Sequence, residues 1–401
     1  MENSVVEAAT TLLPMRVLVC GWIGSTNLGD ELVLAGVRAL MRRHDASVLA
    51  VSIDPEQTRA VHGVAAIDHR RLDLLARASR QADLVVFGGG GLVQDETSPF
   101  NLPYHLARVV PALAAGTPVV GLGLGIGPLS GLGRAEARLL RRFRGITVRD
   151  AASQALLAEV GVASRLGADT AWHLAATRPS PPASLPNATQ QAANGVSAGN
   201  PRPVVEVEDV VTVSLRPWSG GGGWLPVGWR AAATTPEWLI PTLARSLDRV
   251  ATRTGLPVRF VALQTDRDHA LHAEVAAAMD TPAELVVPHL DDVVNQIGAG
   301  RLVIAMRYHA GIAATMCGRP SVLVGYSPKV DALATALGAG TRRVGFDRAE
   351  LDGLDQRAVE LLATDGAPGA VTAARDRLVA GCAANEQLVQ RAVGAGAMRS
   401  G

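Results

Sequence analysis

The feature that most constrains this chain is the repeated alternation of short apolar runs with longer amphipathic segments. Each run is almost continuous in apolar residues and ends near glycine or a charged residue, after which a helical pattern begins. Strands of this kind are typical of parallel sheets buried on both faces, and repeated strand–loop–helix units build doubly wound α/β domains. The runs lie at residues 16–20, 48–52, 82–87, 118–121 and 146–148, and again at 210–215, 258–263, 285–287, 302–306 and 321–324.

The alternation is interrupted once, which predicts two domains. Residues 177–205 are rich in Pro, Ala, Ser, Asn and Gly and show no apolar period, as expected of a flexible linker or an insertion. We therefore predict an N-terminal α/β domain at 15–176, a C-terminal α/β domain at 206–385 and a C-terminal tail at 386–401. Two doubly wound, Rossmann-like domains that face a cleft form the arrangement called GT-B-like, to which this pattern is analogous.

Composition argues against several classes of function. The chain has 38 Lys+Arg against 37 Asp+Glu and only 3% aromatic residues, so neither charge nor base stacking favours nucleic-acid binding. Three widely spaced cysteines favour a reducing cytoplasm over a disulfide framework. The uncharged stretch 109–133 is broken by prolines and the N-terminus lacks a signal-peptide pattern. We expect a cytoplasmic protein, and leave open peripheral contact with the inner face of the membrane and homo-oligomerisation.

Two glycine-rich segments, 21–29 and 88–91, follow predicted strands and precede predicted helices, and the second is expected to end its strand. Glycine lets backbone N–H groups approach an anion closely, which makes Gly89 and Gly90 candidate substrate-binding residues. A tight turn without a ligand is the alternative. Neither segment has the Lys-Ser/Thr of a phosphate-binding P-loop, and the first lacks the third glycine of a dinucleotide fingerprint.

Cationic side chains recur at the predicted carboxyl ends of strands. Arg149, Arg216 and Arg307 follow three such strands, and Lys329 lies just past a fourth. Ligands of open α/β sheets bind at this edge, and guanidinium groups bind carboxylate and phosphate bidentately. The four cations together therefore predict a polyanionic ligand. His309 follows the same strand as Arg307 and is the candidate for proton transfer, with a purely structural histidine as the alternative.

Other side chains have two interpretations each. Asp30 can begin a helix and complement its dipole, or it can be a catalytic residue. Asn27 can cap the same helix, or it can hydrogen-bond a substrate hydroxyl. The tryptophans at 218, 224 and 229 can stack on a sugar or pack beneath a surface loop. Cys317 is expected to belong to the core. The sequence contains no HExxH, paired CxxC or carboxylate-rich metal loop, so we predict no metal.

Eight short motifs occur in order along residues 16–340. They are GWIGSTNLGDE, VVFGGGGLVQDETS, GLGIGP, ITVRD, ADTAW, VSLRPW, MRYHAGIAA and GYSPKVD. Each is weakly specific alone, but the ordered set resembles the polysaccharide pyruvyl transferase family, and most closely its CsaB-type members of bacterial cell-wall synthesis.

The resemblance implies a GT-B-like fold and an enzyme that moves the enolpyruvyl unit of phosphoenolpyruvate onto a sugar of a polysaccharide precursor, forming a pyruvyl ketal and releasing phosphate. The CsaB-type similarity implies N-acetylmannosamine in a lipid-linked precursor as the acceptor, and a product that anchors S-layer proteins. Phosphoenolpyruvate is then a co-substrate, and no cofactor is expected. By motif, the resemblance puts Arg216, Arg307 and His309 in the donor site, makes Arg149 and Lys329 further functional positions, and puts Asn27 and Asp30 near the acceptor.

A mechanism follows as a hypothesis. Arg216, Arg307 and Lys329 would hold the carboxylate and the phosphate of the donor. His309 would protonate the enol carbon, and Asp30 would orient or deprotonate a sugar hydroxyl. Two other classes stay open on sequence alone. A nucleotide-sugar-dependent glycosyltransferase of the same architecture would release a nucleoside phosphate, and a catalytically inert carbohydrate-binding module would release no phosphate.

Overall fold

The computed structural model describes residues 14–176, 178, 207–217 and 235–397. The three tryptophans at 218, 224 and 229 and nearly all of the 177–205 segment lie outside these described residues. What the sequence predicts for them therefore stays a prediction.

The first half of the chain forms a parallel sheet of seven strands in the order β3-β2-β1-β4-β5-β6-β7. The strands are β1 (Met15–Cys20), β2 (Ala46–Ser52), β3 (Ala65–Asp68), β4 (Leu84–Val93), β5 (Val119–Ile126), β6 (Gly145–Val148) and β7 (Arg165–Leu166). The helices are α1 (Leu28–Arg42), α2 (Pro55–His62), α3 (Leu72–Gln81), α4 (Asn101–Ala107), α5 (Val110–Ala115), α6 (Gly131–Ala137), α7 (Ala151–Glu159) and α8 (Trp172–Ala175), with a 3₁₀ turn at Arg138–Arg142.

The second half forms a parallel sheet of six strands in the order β10-β9-β8-β11-β12-β13. The strands are β8 (Glu208–Ser214), β9 (Val258–Val261), β10 (Ala283–Val286), β11 (Gly300–Ala305), β12 (Ser321–Gly325) and β13 (Thr341–Gly345). The helices are α9 (Leu239–Thr254), α10 (Thr265–Ala278), α11 (Val293–Gly298), α12 (Tyr308–Met316), α13 (Pro328–Leu337), α14 (Arg348–Asp352), α15 (Leu354–Leu362) and α16 (Ala367–Ala397), with a 3₁₀ turn at Gly338–Gly340.

The two sheets share one topology. In each, the first strand lies between the second and the fourth, so the strand order reverses beside it. These reversals, called switch points, lie between β1 and β4 and between β8 and β11, and ligands of doubly wound sheets bind at the carboxyl ends of strands there. The predicted fold class, α/β with two doubly wound Rossmann-like sheets, is confirmed.

The glycine run at 88–91 does not end its strand, and that prediction is wrong. β4 continues to Val93 and pairs with β5 as far as Ile126, with a register shift between Gly90 and Val93. Gly89 and Gly90 have φ angles of 61° and 75°, a left-handed conformation that glycine adopts at little steric cost. The run therefore forms an irregularity within a strand instead of a loop after it.

The last helix, α16, connects the cores of the two halves. Leu388 and Val389 belong to the apolar core around β1 and β4, whereas Cys382 belongs to the larger core around β8, β11 and β12. That larger core also contains Leu32 and Trp172 of the first half. The helix crosses the limit between the predicted C-terminal domain and the predicted tail at 386–401, and the domain limits given above stay predictions.

Within the described ranges, no helix combines the length and the apolar character needed to cross a membrane. All three cysteines are buried and unpaired. Cys317 is 7% exposed and belongs to the larger core, as predicted.

Candidate active site

The cations of the second half converge because three neighbouring strands end side by side. β8, β11 and β12 are adjacent, and Ser214 at the end of β8 is the register partner of Ala305 at the end of β11. Arg216 and Arg307 each follow their member of this pair by two residues, so they lie at the same level of the sheet edge, at its switch point. Lys329 lies in the first turn of α13, after β12.

These side chains line a cavity between the two halves of the chain. It measures about 430 Å³ with its open mouth. Its walls are Asn27, Asp30, Gly91 and Arg149 from the first half and Arg216, Leu263, Arg307, Tyr308, His309, Tyr326 and Lys329 from the second. The structure thus brings together every predicted site residue except Gly89 and Gly90.

Gly89 and Gly90 lie beside the cavity and not in its wall. A Cβ at position 89 would lie 1.8 Å from Cγ1 of Val33, and one at position 90 would lie 3.4 Å from Oδ1 of Asp30. Gly89 therefore allows β4 to pack closely on α1. Gly91, the residue after Gly90, is the glycine of this run that lines the cavity.

Arg307 is held by a buried ion pair. Its Nε donates to Oδ2 of Asp268 at 2.9 Å, and its Nη2 donates to Oε1 of Gln264 at 3.1 Å and to Oδ1 of Asp268. Arg307 is 7% exposed and Asp268 is fully buried. Because Asp268 balances its charge, Arg307 contributes a rigid, oriented donor group more than net charge.

The pKa of Tyr326 reflects the positive charge inside the cavity. Arg216 Nη1 donates to its hydroxyl at 2.8 Å, and Lys329 Nζ lies 5.6 Å from its ring centroid. Burial alone would raise the pKa of Tyr326, but Lys329, Arg216 and Arg307 lower it to about 8. Positive charge therefore outweighs desolvation here, which is the condition an anion-binding site requires.

His309 lies in the first turn of α12 and is 8% exposed. Its Nε2 is 3.7 Å from Oδ2 of Asp169, a residue of the first half. Arg149 Nη1 donates to the same oxygen at 3.2 Å, and the backbone N–H of Ala171 donates to Oδ1 at 3.0 Å. Burial would raise the pKa of Asp169, but His309 and Arg149 lower it to about 2. The carboxylate is therefore ionised at neutral pH.

Arg149 is buried in the first half and reaches the second. Its guanidinium carbon lies 3.9 Å from the ring centroid of Tyr308, and its Nε lies 3.6 Å from Oδ2 of Asp150. Burial would lower the pKa of Arg149, but Tyr308, Asp169 and Asp150 raise it. The ion pair with Asp150 is thus one of several contacts that hold Arg149.

Asn27 and Asp30 begin α1 on the opposite wall. Asn27 Oδ1 accepts from the backbone N–H of Gly29 at 3.1 Å, and Asn27 Nδ2 donates to Asp30 Oδ2 at 2.6 Å. The predicted capping role is confirmed, and it coexists with a place in the cavity wall. Burial raises the pKa of Asp30, and His309 only partly offsets this. A raised pKa makes a carboxylate a better proton acceptor.

The start of α1 contacts the second half directly. The backbone N–H of Leu28 donates to the carbonyl of Leu263 at 2.8 Å, and Thr26 Oγ1 donates to Asp266 Oδ1 at 2.8 Å. Gly29 faces His309, because a Cβ at position 29 would lie 2.6 Å from His309 Nδ1. The first turns of α1 and α12 therefore meet at the cavity without room for a side chain between them.

Asp169, Tyr326 and Asp268 contact the charged groups of the site but have no role in the sequence interpretation. The first two lie inside motifs already singled out, ADTAW and GYSPKVD, so the motif was a usable signal. Asp268 lies in α10 and has no motif around it. Only the fold, which brings the first turn of α10 to the carboxyl end of β11, makes it a partner of Arg307.

A larger cleft adjoins the cavity and shares Gly91, Arg149, Arg216 and Lys329 with it. It measures about 1040 Å³ with its open mouth. The rest of its wall combines polar Gln94, Glu96, Thr97, Asp150 and Ser153 with apolar Ile126, Leu129 and Leu156. Hydrogen-bonding groups beside apolar surface are typical of sites for organic ligands. In the part of the chain that the structure covers, no three His, Cys, Asp or Glu side chains are grouped to hold a metal ion.

The fold defined by the two sheets is GT-B-like, and solved structures share it over nearly their whole length. HepE of Anabaena, solved in complex with UDP-glucose, is 14% identical with a TM-score of 0.56, covering 94% of this chain and 99% of that chain. The UDP-N-acetylglucosamine 2-epimerase of Rickettsia bellii is 9% identical with a TM-score of 0.56, covering 96% and 97%. A glycosyltransferase of Rickettsia africae is 11% identical with a TM-score of 0.51, covering 94% and 97%. At these identities the likeness shows the fold alone.

Within this fold the sequence defines the family. Residues 27–328 match the family described as polysaccharide pyruvyl transferase, so the chain belongs to that family, and the resemblance carried by the eight motifs is confirmed at the family level. The matched span includes the cavity residues from Asn27 to Tyr326. No curated protein sequence matches the chain.

Proposed function

We propose that this pyruvyl transferase uses phosphoenolpyruvate as donor and forms a pyruvyl ketal on a sugar of a cell-wall polysaccharide precursor. The observation that supports the donor is the convergence of Arg216, Arg307, Lys329 and His309 in one cavity. Phosphoenolpyruvate carries a carboxylate and a phosphate on three carbons, so it needs several donors and positive charge within a small volume.

The three cations that would bind phosphoenolpyruvate have different surroundings. Arg307 is fixed by Asp268 and Gln264, so it would orient one end of the donor. Arg216 and Lys329 meet at Tyr326, and an incoming anion would accept hydrogen bonds from them there. Residues 206–385 would thus bind the donor, and residues 15–176 would bind the acceptor, as the sequence predicts.

The chemistry needs one proton donor and one proton acceptor at the cavity. His309 would protonate the methylene carbon of the enol, which makes the neighbouring carbon an oxocarbenium-like centre. A first sugar hydroxyl attacks that carbon and loses its proton to Asp30. The carbon–oxygen bond to phosphate then breaks, and the phosphate leaves with the electron pair and takes up the proton from Asp30, which is thereby ionised again. A second hydroxyl closes the ketal and loses its proton, which returns His309 to its protonated form.

The acceptor would occupy the larger cleft beside the cavity. That cleft opens onto the donor cations through Arg149, Arg216 and Lys329, and its polar wall can hydrogen-bond sugar hydroxyls. Asp30 and Asn27 face the meeting point of the two spaces. By the motif resemblance, the acceptor would be N-acetylmannosamine in a lipid-linked precursor, handled in the cytoplasm at the inner face of the membrane.

The function is tested by incubating the purified chain with phosphoenolpyruvate and a panel of N-acetylmannosamine-containing acceptors. We expect phosphate release that depends on the acceptor, and a product that has gained the mass of a pyruvyl ketal. His309→Ala should lower kcat by about 10²–10⁴-fold if it is the general acid. Wild-type turnover in that variant would remove the assignment.

The same assay separates the alternatives. Release of a nucleoside phosphate from a nucleotide sugar, with no use of phosphoenolpyruvate, would identify a glycosyltransferase instead. Acceptor binding by calorimetry without any phosphate release would indicate an inert carbohydrate-binding protein. Either result would overturn the proposed donor.

A further inference from the structure

We propose that Asp169 is a positioning residue for His309: a carboxylate of the first half orients the imidazole of the second half and stabilises its protonated form, so that the proton on Nδ1 is the one donated. The proton-donating unit is then assembled from both halves of the chain. This inference rests on the proposed role of His309. It adds Asp169, which has no role in the proposed function as stated above.

The geometry supplies the first argument. Nε2 of His309 lies 3.7 Å from Oδ2 of Asp169. Nε2 is also shielded from solvent and makes no hydrogen bond with the described residues, so the carboxylate acts on it as a nearby charge. Nδ1 faces the start of α1, where Gly29 leaves room for it. A ring whose one nitrogen faces a buried carboxylate presents the other nitrogen to the substrate, as carboxylate–histidine pairs generally do.

The second argument is that Asp169 is itself fixed and ionised. It is 1% exposed and accepts hydrogen bonds from Arg149 Nη1 and from the backbone N–H of Ala171. Arg149 in turn lies against Tyr308, the neighbour of His309 in α12. The first turn of α12 is therefore held from the first half at two adjacent positions, and a shift of either half would separate Asp169 from His309.

Electrostatics supplies the third argument. The charged groups around His309 are Asp30, Asp169 and Arg149 from the first half and Arg216, Arg307 and Lys329 from the second. Arg307 already has Asp268, and Arg149 has Asp150 as well as Asp169. Asp169 is the carboxylate at ion-pair distance from the imidazole, so its removal should favour the neutral ring.

The test is a double-mutant cycle between Asp169→Asn and His309→Gln. We expect Asp169→Asn to lower kcat by about 10–100-fold, the usual effect of losing such an orienting partner, with the KM for phosphoenolpyruvate nearly unchanged. The fall of activity at high pH should move to lower pH, because the protonated imidazole loses its counter-charge. In the His309→Gln background, Asp169→Asn should cause little further loss.

Two other variants keep the test sharp. Asp169→Glu retains the charge and should move the high-pH limb less than Asp169→Asn does. Asp355→Asn is the matched control, because Asp355 is also a buried carboxylate, paired with Arg249 at 3.2 Å and outside both cavities. It should reduce stability without moving the pH limb.

Several results would overturn the proposal. One is a full additional loss of kcat on adding Asp169→Asn to His309→Gln. Another is an unchanged pH limb in Asp169→Asn. If the wild type shows no pyruvyl transfer, the proposed function fails, but the pairing can still be measured. The imidazole signals that disappear in His309→Gln should change chemical shift in Asp169→Asn but not in Asp355→Asn, and unchanged signals in Asp169→Asn would refute the pairing.

Discussion

The pKa of Tyr326 depends on the positive charge in the donor cavity, and it can be measured. Its hydroxyl lies among Arg216 and Lys329, and their positive charge overcomes the effect of burial on its pKa. The four cations that first suggested an anion site are visible in the sequence because each follows a strand. Their partners are not: Asp268 and Asp169 are set by packing between distant segments, and only the fold reveals that two of the arginines are already paired.

A spectroscopic titration tests this at the scale of one residue. The chain has three tyrosines, and burial raises the pKa of Tyr104 and of Tyr308. The pKa of Tyr326 is lowered to about 8. Tyrosinate absorbance should therefore rise first in a single step near pH 8, and this step should be missing in Tyr326→Phe.

Phosphoenolpyruvate should move that first step to higher pH, because the bound anion offsets the positive charge that stabilises the phenolate. Phosphate-free chloride buffer of equal ionic strength is the control. A first step that persists in Tyr326→Phe, or that ignores the donor, would show that Tyr326 does not sit in the anion site.

Among the elements, the meeting of α1 and α12 decides the geometry of the site. Gly29 in the first turn of α1 lies against the ring of His309, and the backbone of Leu28 is bonded to Leu263. Each helix begins at a switch-point strand, so the two sheets present their helix N-termini to the same space. The separation of the helices is set by the absence of a side chain at position 29.

Gly29→Ala should therefore impair catalysis more than folding. The added methyl would lie 2.6 Å from His309 Nδ1, so the imidazole must turn or the halves must separate, and kcat should fall at least tenfold, the scale of misplacing a catalytic group. Gly131→Ala is the control, since nothing lies within 4 Å of a Cβ there; it should change neither kcat nor stability by much. Equal activity of the two variants would contradict the close approach.

The elements also show where sequence patterns are sufficient. The apolar runs of β1, β8, β11 and β12 are local signals, and all four strands lie where the pattern predicts them. Strands β3, β7 and β13 lie where no apolar run predicts a strand, because they are short or carry charged residues at the sheet edge. β4 continues through four glycines because the neighbouring strand β5 supplies hydrogen-bond partners. The sequence of β4 alone does not show that these partners exist.

For the whole molecule, the notable feature is that one apolar core crosses from one half to the other. Leu32 and Trp172 of the first half pack with the strands of the second, and α16 returns from the second half to the core of the first. The sequence predicts two separate domains, at 15–176 and 206–385, because the segment between them interrupts the alternation of strands and helices. Packing across the boundary and through α16 predicts instead that the halves lose their structure together.

Leu388→Ala tests that coupling. Leu388 is 7% exposed, and its Cδ1 lies 2.5 Å from where a Cβ of Gly145 would be, so α16 is closely packed on β6. Truncation should destabilise the protein by about 2–5 kcal/mol. If the halves are coupled, calorimetry should show one unfolding transition in the wild type, shifted as a whole to lower temperature in the variant. Leu132→Ala, at a side chain that is 59% exposed, should shift it little. Two transitions, of which only one moves, would mean that α16 stabilises the first half alone and that the cavity lies between independently folding units.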